Sequence, residues 1–264
     1  MISSKHDAGI SVEPIISAVE FAKQTNIIDA MFISDLHLNP NEPQLLLRFQ
    51  EFLRLVVTRT RNLYILGDLL HVWAGDDSIT AWSQAIIAQL AALAQHGINV
   101  YFMPGNRDFL IGNIFTQQAK LKILSDPTLI SCGSKLVLLT HGDMLCTDDK
   151  AHQRLRYFTR NQKFIKYFLK LPLVYRQWLV QQVRTRSQQA HAIHKSVDVV
   201  TATVVRMMQT YNVNVLIHGH THKPGLTQYI LDQQCYNRYV LSDWDDLPLI
   251  LCYDNTKGFY FSRM

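Results

Sequence analysis

Five short apolar runs, each delivering residues able to hold a metal ion, constrain this chain more than any other feature. Ile28 to Ser34 leads into Asp35-Leu36-His37, Leu63 to Leu66 into Gly67-Asp68, and Asn99 to Met103 into Pro104-Gly105-Asn106. Further on, Lys135 to Thr140 leads into His141-Gly142-Asp143, and Val213 to Ile217 into His218-Gly219-His220-Thr221-His222. Runs this short have the length of strands. Between them lie EPQLLLRFQEFLRLVVTRT, with Leu45, Phe49, Phe52, Leu53 and Val56 at helical spacing, and SITAWSQAIIAQLAALAQHG, whose Gly97 suits a helix C-terminus. Strands alternating with amphipathic helices are the pattern of α/β layers. In such sheets ligands bind in the crevice at the carboxyl ends of the strands, so the five ends are expected to converge.

The remainder supports two sheets with outer helices. LISCGSKLVLL reads as a hairpin, and from Tyr229 onward the pattern is strand and turn. The ordered body begins at IIDAMFIS; residues 1–26 read as an extension of unknown role with a short helix at Ile15 to Lys23. Residues 27–148 and 211–264 then form the core, interrupted by an insertion over 149–210. With 48% hydrophobic and 18% charged residues in 264, the composition is globular rather than disordered. Cys132, Cys146, Cys235 and Cys252 are scattered and read as reduced thiols. The N-terminus, which carries Asp7 and Glu13, lacks a signal-peptide core, and no 18-residue apolar run occurs, so a cytoplasmic protein is expected.

The insertion is unlike the rest. From Lys150 to Val197 there are eleven Lys and Arg and not one Asp or Glu, in a chain of formal charge +5, so the remainder is net acidic. Interleaved are Tyr157, Phe158, Phe164, Tyr167, Phe168, Tyr175 and Trp178. A packed helical hairpin with a solvated basic face is the plainer explanation; a cap for an anionic, apolar substrate is the sharper one.

Taken singly, an Asp after a strand is usually a turn former or helix cap. Together, imidazoles with carboxylate and amide oxygens and no thiolate suit Mn2+, Fe2+ or Zn2+. Seven such residues, Asp35, His37, Asp68, Asn106, His141, His218 and His220, are too many for one ion. They suit two ions sharing a carboxylate, a pair that acidifies a bound water and stabilises charge on phosphoryl oxygens.

The series Asp35-x-His37, Gly67-Asp68, Gly105-Asn106, His141 and His218-x-His220 resembles the calcineurin-like metallophosphoesterases. That resemblance implies a four-layer αββα sandwich with a helical cap insertion. It also implies Asp35, His37 and His220 on one ion, Asn106, His141 and His218 on the other, and Asp68 between them.

GNRDFL, HGDMLCTDD, HGHTHKP and LYILGDLLHVWAGDD narrow the resemblance to the UDP-2,3-diacylglucosamine diphosphatase family of Gram-negative lipid A synthesis. This implies a hydrolase that splits UDP-2,3-diacylglucosamine at its pyrophosphate into UMP and 2,3-diacylglucosamine 1-phosphate, using two divalent ions, usually Mn2+, with Asp68, Asn106, Arg107 and His141 as the catalytic set. Arg107 has a physical role there: a fixed cation stabilises charge on a leaving phosphate, which needs no proton donor, whereas an alkoxide leaving group would call for a histidine. Substrate contacts are implied for Asn106, Arg107, Asp149 and His218. On the insertion, the family's Ser, Asn and Lys at i, i+4 and i+7 fall here on Ser187, His191 and His194, with Lys195 one place later, so Asn is missing and the register of Lys is shifted. Apolar residues could take acyl chains at roughly 0.8 kcal/mol per buried methylene, and cations could hold an anionic leaflet at about 1 kcal/mol each, which places the protein peripherally on the cytoplasmic face of the inner membrane. A phosphoesterase for nucleic acid or cyclic nucleotides is disfavoured by Arg107 and the aliphatic cap, and no nucleic acid is expected as partner. A degenerate membrane-surface scaffold should lack several ligands, and none is lacking.

Overall fold

The computed structural model describes residues 10–11, 15–23, 27–193, 198–245 and 248–263. The apolar runs form strands, in chain order β1 (Ile10–Ser11), β2 (Ile15–Ile16), β3 (Ala30–Ile33), β4 (Asn62–Ile65), β5 (Asn99–Phe102), β6 (Lys122–Ile123), β7 (Thr128–Cys132), β8 (Lys135–Thr140), β9 (Val215–His218), β10 (Gly225–Leu231), β11 (Gln234–Val240), β12 (Leu249–Asp254) and β13 (Gly258–Arg263). One sheet has the order β2-β13-β12-β3-β4-β5-β6, the other β1-β10-β11-β9-β8-β7. Within them β3, β4 and β5 are parallel neighbours, as are β8 and β9. The five ligand-bearing strand ends therefore point in two parallel groups, one per sheet.

Period-two alternation puts the sheets face to face. Phe32, Tyr64, Leu66, Val137, Leu139, Val215 and Ile217 meet in one apolar layer between them. Met31, Ile33, Leu63 and Ile65 point the other way, onto α2 (Pro43–Arg59) and α3 (Ala81–Gln95). The buried face of α2 is Leu45, Phe49, Phe52, Leu53 and Val56, the set that periodicity predicts. Its first residue is Pro43, whose fixed φ suits that position. Thr80 and Ser83 box the start of α3, and Gly97, at φ +78°, follows its end. On the second sheet, Leu138 and Leu216 face α8 (Thr201–Thr210) through Val204 and Met208. The layers are thus helix, sheet, sheet, helix, the expected αββα sandwich.

Two segments differ from expectation. The helix expected from Ile15 begins at Ala18, as α1 (Ala18–Lys23), because Ser17 and Glu20 cap it reciprocally: Ser17 Oγ accepts from Glu20 N at 3.3 Å and Glu20 Oε2 from Ser17 N at 3.1 Å. Upstream, Ile15–Ile16 pairs with β13 and Ile10–Ser11 with β10, so the N-terminal stretch adds an edge to each sheet, and Phe21 is buried in the core. The second difference is α8, grouped with the insertion by sequence but packed as the outer layer. After α4 (Asn113–Gln118), the insertion supplies α5 (Lys150–Thr159), α6 (Gln162–Phe168) and α7 (Leu173–Ile193), and Ile165 and Phe168 of α6 pack against the core.

Cations fasten α5 and α7 to the core. Arg176 of α7 is buried and bonds Leu171 O, Ala74 O and the Asp77 carboxylate. Arg156 of α5 reaches Asp143 at 2.9 Å and Asp126 at 3.2 Å.

Candidate metal centre

The strand ends converge as the topology requires. Asp35 and His37 follow β3, Asp68 follows β4, Asn106 follows β5, His141 follows β8 and His218 closes β9. Ligand atoms of Asp35, Asp68 and His141 lie within 4.8 Å of one another, as do those of Asp35, His37 and His222. Asp68 stands between two imidazoles, its Oδ2 3.2 Å from His37 Nε2 and its Oδ1 3.8 Å from His141 Nε2.

Backbone geometry makes this approach possible at a cost. Asp35, His37, Asp68, His220 and His222 all hold φ between 51° and 69°, five of the nine non-glycine residues with positive φ among those described. Each costs on the order of 1 kcal/mol, and such strain gathers where side chains must be aimed. Gly67, at φ +92°, has no room for a side chain, since a Cβ there would sit 2.5 Å from His141 Nδ1.

The donor set fits divalent ions. His218 Nδ1 donates to Gly219 O at 2.7 Å, which leaves its fully buried Nε2 as a lone pair with no hydrogen-bond partner. Burial lowers the His218 pKa to about 3, so this lone pair is present at neutral pH. His141 Nδ1 likewise donates to Leu66 O at 2.8 Å. Its Nε2 then faces two oxygens, Asn106 Oδ1 at 2.8 Å and Asp68 Oδ1 at 3.8 Å, an arrangement that calls for positive charge between them. Burial disfavours a proton on His141, but the Asp68 and Asp35 carboxylates outweigh it and raise the pKa to about 9. Asp35 Oδ1 is buried without a hydrogen bond, and although burial would raise this carboxyl, His222, His141 and His37 hold it well below the usual range. Orphaned imidazole and carboxylate atoms of this kind are what a metal ion satisfies.

His220 differs from expectation. Its backbone N–H donates to Asp35 Oδ2 at 2.8 Å, but its Nδ1 lies 3.0 Å from Asn106 Oδ1, on the His141 side. The imidazole beside Asp35 is that of His222, 3.4 Å from Oδ1 and held from behind by Asp243 at 3.3 Å. HGHTHKP carries three equivalent histidines, and spacing alone did not assign the third.

Arg107 lies with its Nε 3.3 Å from Asp68 Oδ2 and its side chain partly open to solvent. Asp149 caps α5, accepting from His152 N at 2.9 Å. The side chains of Ser187 and His191, on α7, and all of Lys195 lie outside the described residues.

Further buried groups support the site from behind. Asp108 is fully buried, and its Oδ1 accepts from Gly105 N at 2.7 Å while its Oδ2 accepts from Leu69 N at 2.7 Å, tying the loops after β4 and β5 together. Asp126 accepts from Thr140 Oγ1 at 2.6 Å, directly before His141. His71 receives Arg184 of α7 at 3.2 Å and Arg107 at 3.5 Å. No described helix is long and apolar enough to cross a membrane.

Comparison with known proteins adds to this geometry. The profile described as calcineurin-like phosphoesterase (Metallophos) matches residues 29–224. The chain is 42% identical to the UDP-2,3-diacylglucosamine hydrolase of Aromatoleum aromaticum over 226 residues, which covers 84% of this chain and 92% of that protein. It is also 42% identical to the proteins of the same name from Xanthomonas axonopodis pv. citri, covering 85% and 94%, and from Nitrosococcus oceani, covering 88% and 93%.

Proposed function

This chain belongs to the calcineurin-like phosphoesterase family, and we propose that it hydrolyses UDP-2,3-diacylglucosamine at the pyrophosphate to UMP and 2,3-diacylglucosamine 1-phosphate. The observation that carries the reading is Asp68, a buried carboxylate with one oxygen toward His37 and the other toward His141. The name shared by relatives at 42% identity supports the substrate.

Asp35, His37 and Asp68, joined by His220 or His222, would hold one ion; Asp68, Asn106, His141 and His218 would hold the other, with Mn2+ the expected metal. Bound, such a pair supplies an acidified water and charge stabilisation at phosphorus. The protein's own contribution is orientation. Buried carbonyls at Leu66 and Gly219 fix the tautomers of His141 and His218, so that each presents Nε2. Arg107 supplies a permanent cation for the diphosphate beside the bridging carboxylate, and the leaving sugar phosphate departs without a proton donor. Asp149, which caps the first helix of the insertion, would contact the substrate together with Ser187, His191 and Lys195.

The cap suits the lipid part. A cleft of about 380 Å³ on α5 and α6 is lined by Tyr157, Phe158, Phe164 and Tyr167, with Asn161 and Lys163 at its edge. Tyr157, Tyr167, Tyr175 and Trp178 are exposed among the insertion's cations, a surface suited to acyl chains and an anionic leaflet. The protein accordingly works as a peripheral protein on the cytoplasmic face of the inner membrane. Turnover compared on UDP-2,3-diacylglucosamine, single-stranded DNA and cyclic nucleotides tests the reading: activity on the nucleotide sugar alone supports it, and activity confined to DNA or cyclic nucleotides overturns it.

A further inference from the structure

Among the insertion's cations, Arg160 differs in what it touches. It is the residue that ends α5, and its guanidinium turns inward to donate from Nη2 to Gly105 O at 2.9 Å and to Pro104 O at 3.2 Å. The same group lies 5.5 Å from the centre of the Phe109 ring and 4.0 Å from the buried carboxylate of Asp143. Gly105 O belongs to the peptide that carries the nitrogen of Asn106. The other face of Gly105 is already held, since its N–H donates to Asp108 at 2.7 Å. Gly105 has no side chain to resist rotation and no room for one, because a Cβ would collide with Asp68. Asp108 thus holds the Pro104–Gly105 peptide by its N–H, while Arg160, on the cap, holds that peptide and the next, Gly105–Asn106, by their carbonyls, and so orients the backbone that leads into Asn106 and Arg107.

We infer that Arg160 is a positioning residue for the reaction, holding the Gly105 to Asn106 peptide so that the Asn106 amide faces His141 and the Arg107 guanidinium meets the Asp68 carboxylate. The inference rests on the reading of Asn106 and Arg107 as working residues. It gives the cap a task at the metal centre besides receiving lipid: moving the end of α5 moves the loop.

Arg160→Ala and Arg160→Lys, each compared with the full-length protein, test this. Four readouts decide it: kcat and KM on UDP-2,3-diacylglucosamine, the same constants on bis(4-nitrophenyl) phosphate, Mn2+ binding by electron paramagnetic resonance, and thermal melting. For Arg160→Ala the expected result is kcat lower by about tenfold or more on both substrates, KM within about twofold, and one of two Mn2+ ions bound about tenfold more weakly. Arg160→Lys, which keeps one donor for one carbonyl, should fall between. A kcat within about twofold of wild type overturns the proposal, as does a rise in KM at unchanged kcat, the sign of a direct substrate contact. Losses that merely follow the unfolded fraction in the melt overturn it too. Should Arg160→Ala not fold, Arg160→Lys decides alone, and unchanged kcat and Mn2+ binding in it refute the role. A wild type active on the aryl diester but inert on the nucleotide sugar would sink the proposed substrate while leaving the aryl diester and Mn2+ readouts to judge Arg160.

Discussion

Arg107 holds Asp68 by two bonds of different kinds, its backbone N–H donating to Oδ1 at 2.8 Å and its Nε lying 3.3 Å from Oδ2. The backbone bond needs no particular side chain, whereas the second depends on the guanidinium. Arg107→Ala should therefore leave the Asp68 loop in place and remove the cation proposed to meet the reacting phosphates. The expected loss is on the order of a hundredfold in kcat on UDP-2,3-diacylglucosamine and about tenfold or less on an activated aryl phosphate, whose leaving group is already stable. Steady-state kinetics on both substrates checks this, and equal losses would make Arg107 structural.

Asp68 itself has no substitute. Its two oxygens face different imidazoles, so on the proposed assignment Asp68→Ala removes a ligand from both halves of the centre at once. Turnover should fall by on the order of a thousandfold or more, with both Mn2+ sites weakened. Near-normal activity in this variant would refute the shared-carboxylate assignment.

Gly67 tests the backbone of the site. With φ at +92° and a would-be Cβ against His141 and Gly105, Gly67→Ala combines strain with collision. It should destabilise the protein by about 2 to 4 kcal/mol and lower Mn2+ affinity, measured by urea unfolding and metal titration. A fully stable variant with normal metal binding would show that the loop after β4 can move freely.

Arg176 tests the anchorage of the cap. Its guanidinium is buried against the carbonyls of Ala74 and Leu171, whereas the partner carboxylate of Asp77 is largely exposed. Removing Arg176 leaves the carbonyl of the buried Ala74 unpaired, while removing the Asp77 charge leaves its position open to water. Arg176→Ala should cost about 2 to 3 kcal/mol in urea unfolding and Asp77→Asn less than about 1 kcal/mol. Similar costs would mean that the ion pair, rather than the carbonyl bonds, holds α7.

The legibility of this chain follows the range of the forces involved. Local periodicity carries the buried face of α2, and the ligand series stands at strand ends because the crevice of an α/β sheet can be filled only from there. What escaped is what depends on distant residues meeting. Asp126, Asp143 and Arg156 form one network from three separate segments, and no local pattern connects them. β1 and β2 are two residues each, too short to show a period. His222 escaped for a different reason: it repeats the type and spacing of His218 and His220, and its place beside Asp35 depends on Asp243 behind it. Arg160 and Arg176 escaped because composition counts them as charges on an exposed helix, while both turn inward to backbone carbonyls.

The most direct test of the whole account is the release of UMP from UDP-2,3-diacylglucosamine by protein stripped of metal and titrated with Mn2+. No release is expected without metal, release should rise with Mn2+ until two ions are bound per chain, and 2,3-diacylglucosamine 1-phosphate should form in equal amount to UMP. Metal-independent release, or no UMP at any Mn2+ concentration from a folded protein that binds the ions, would contradict it.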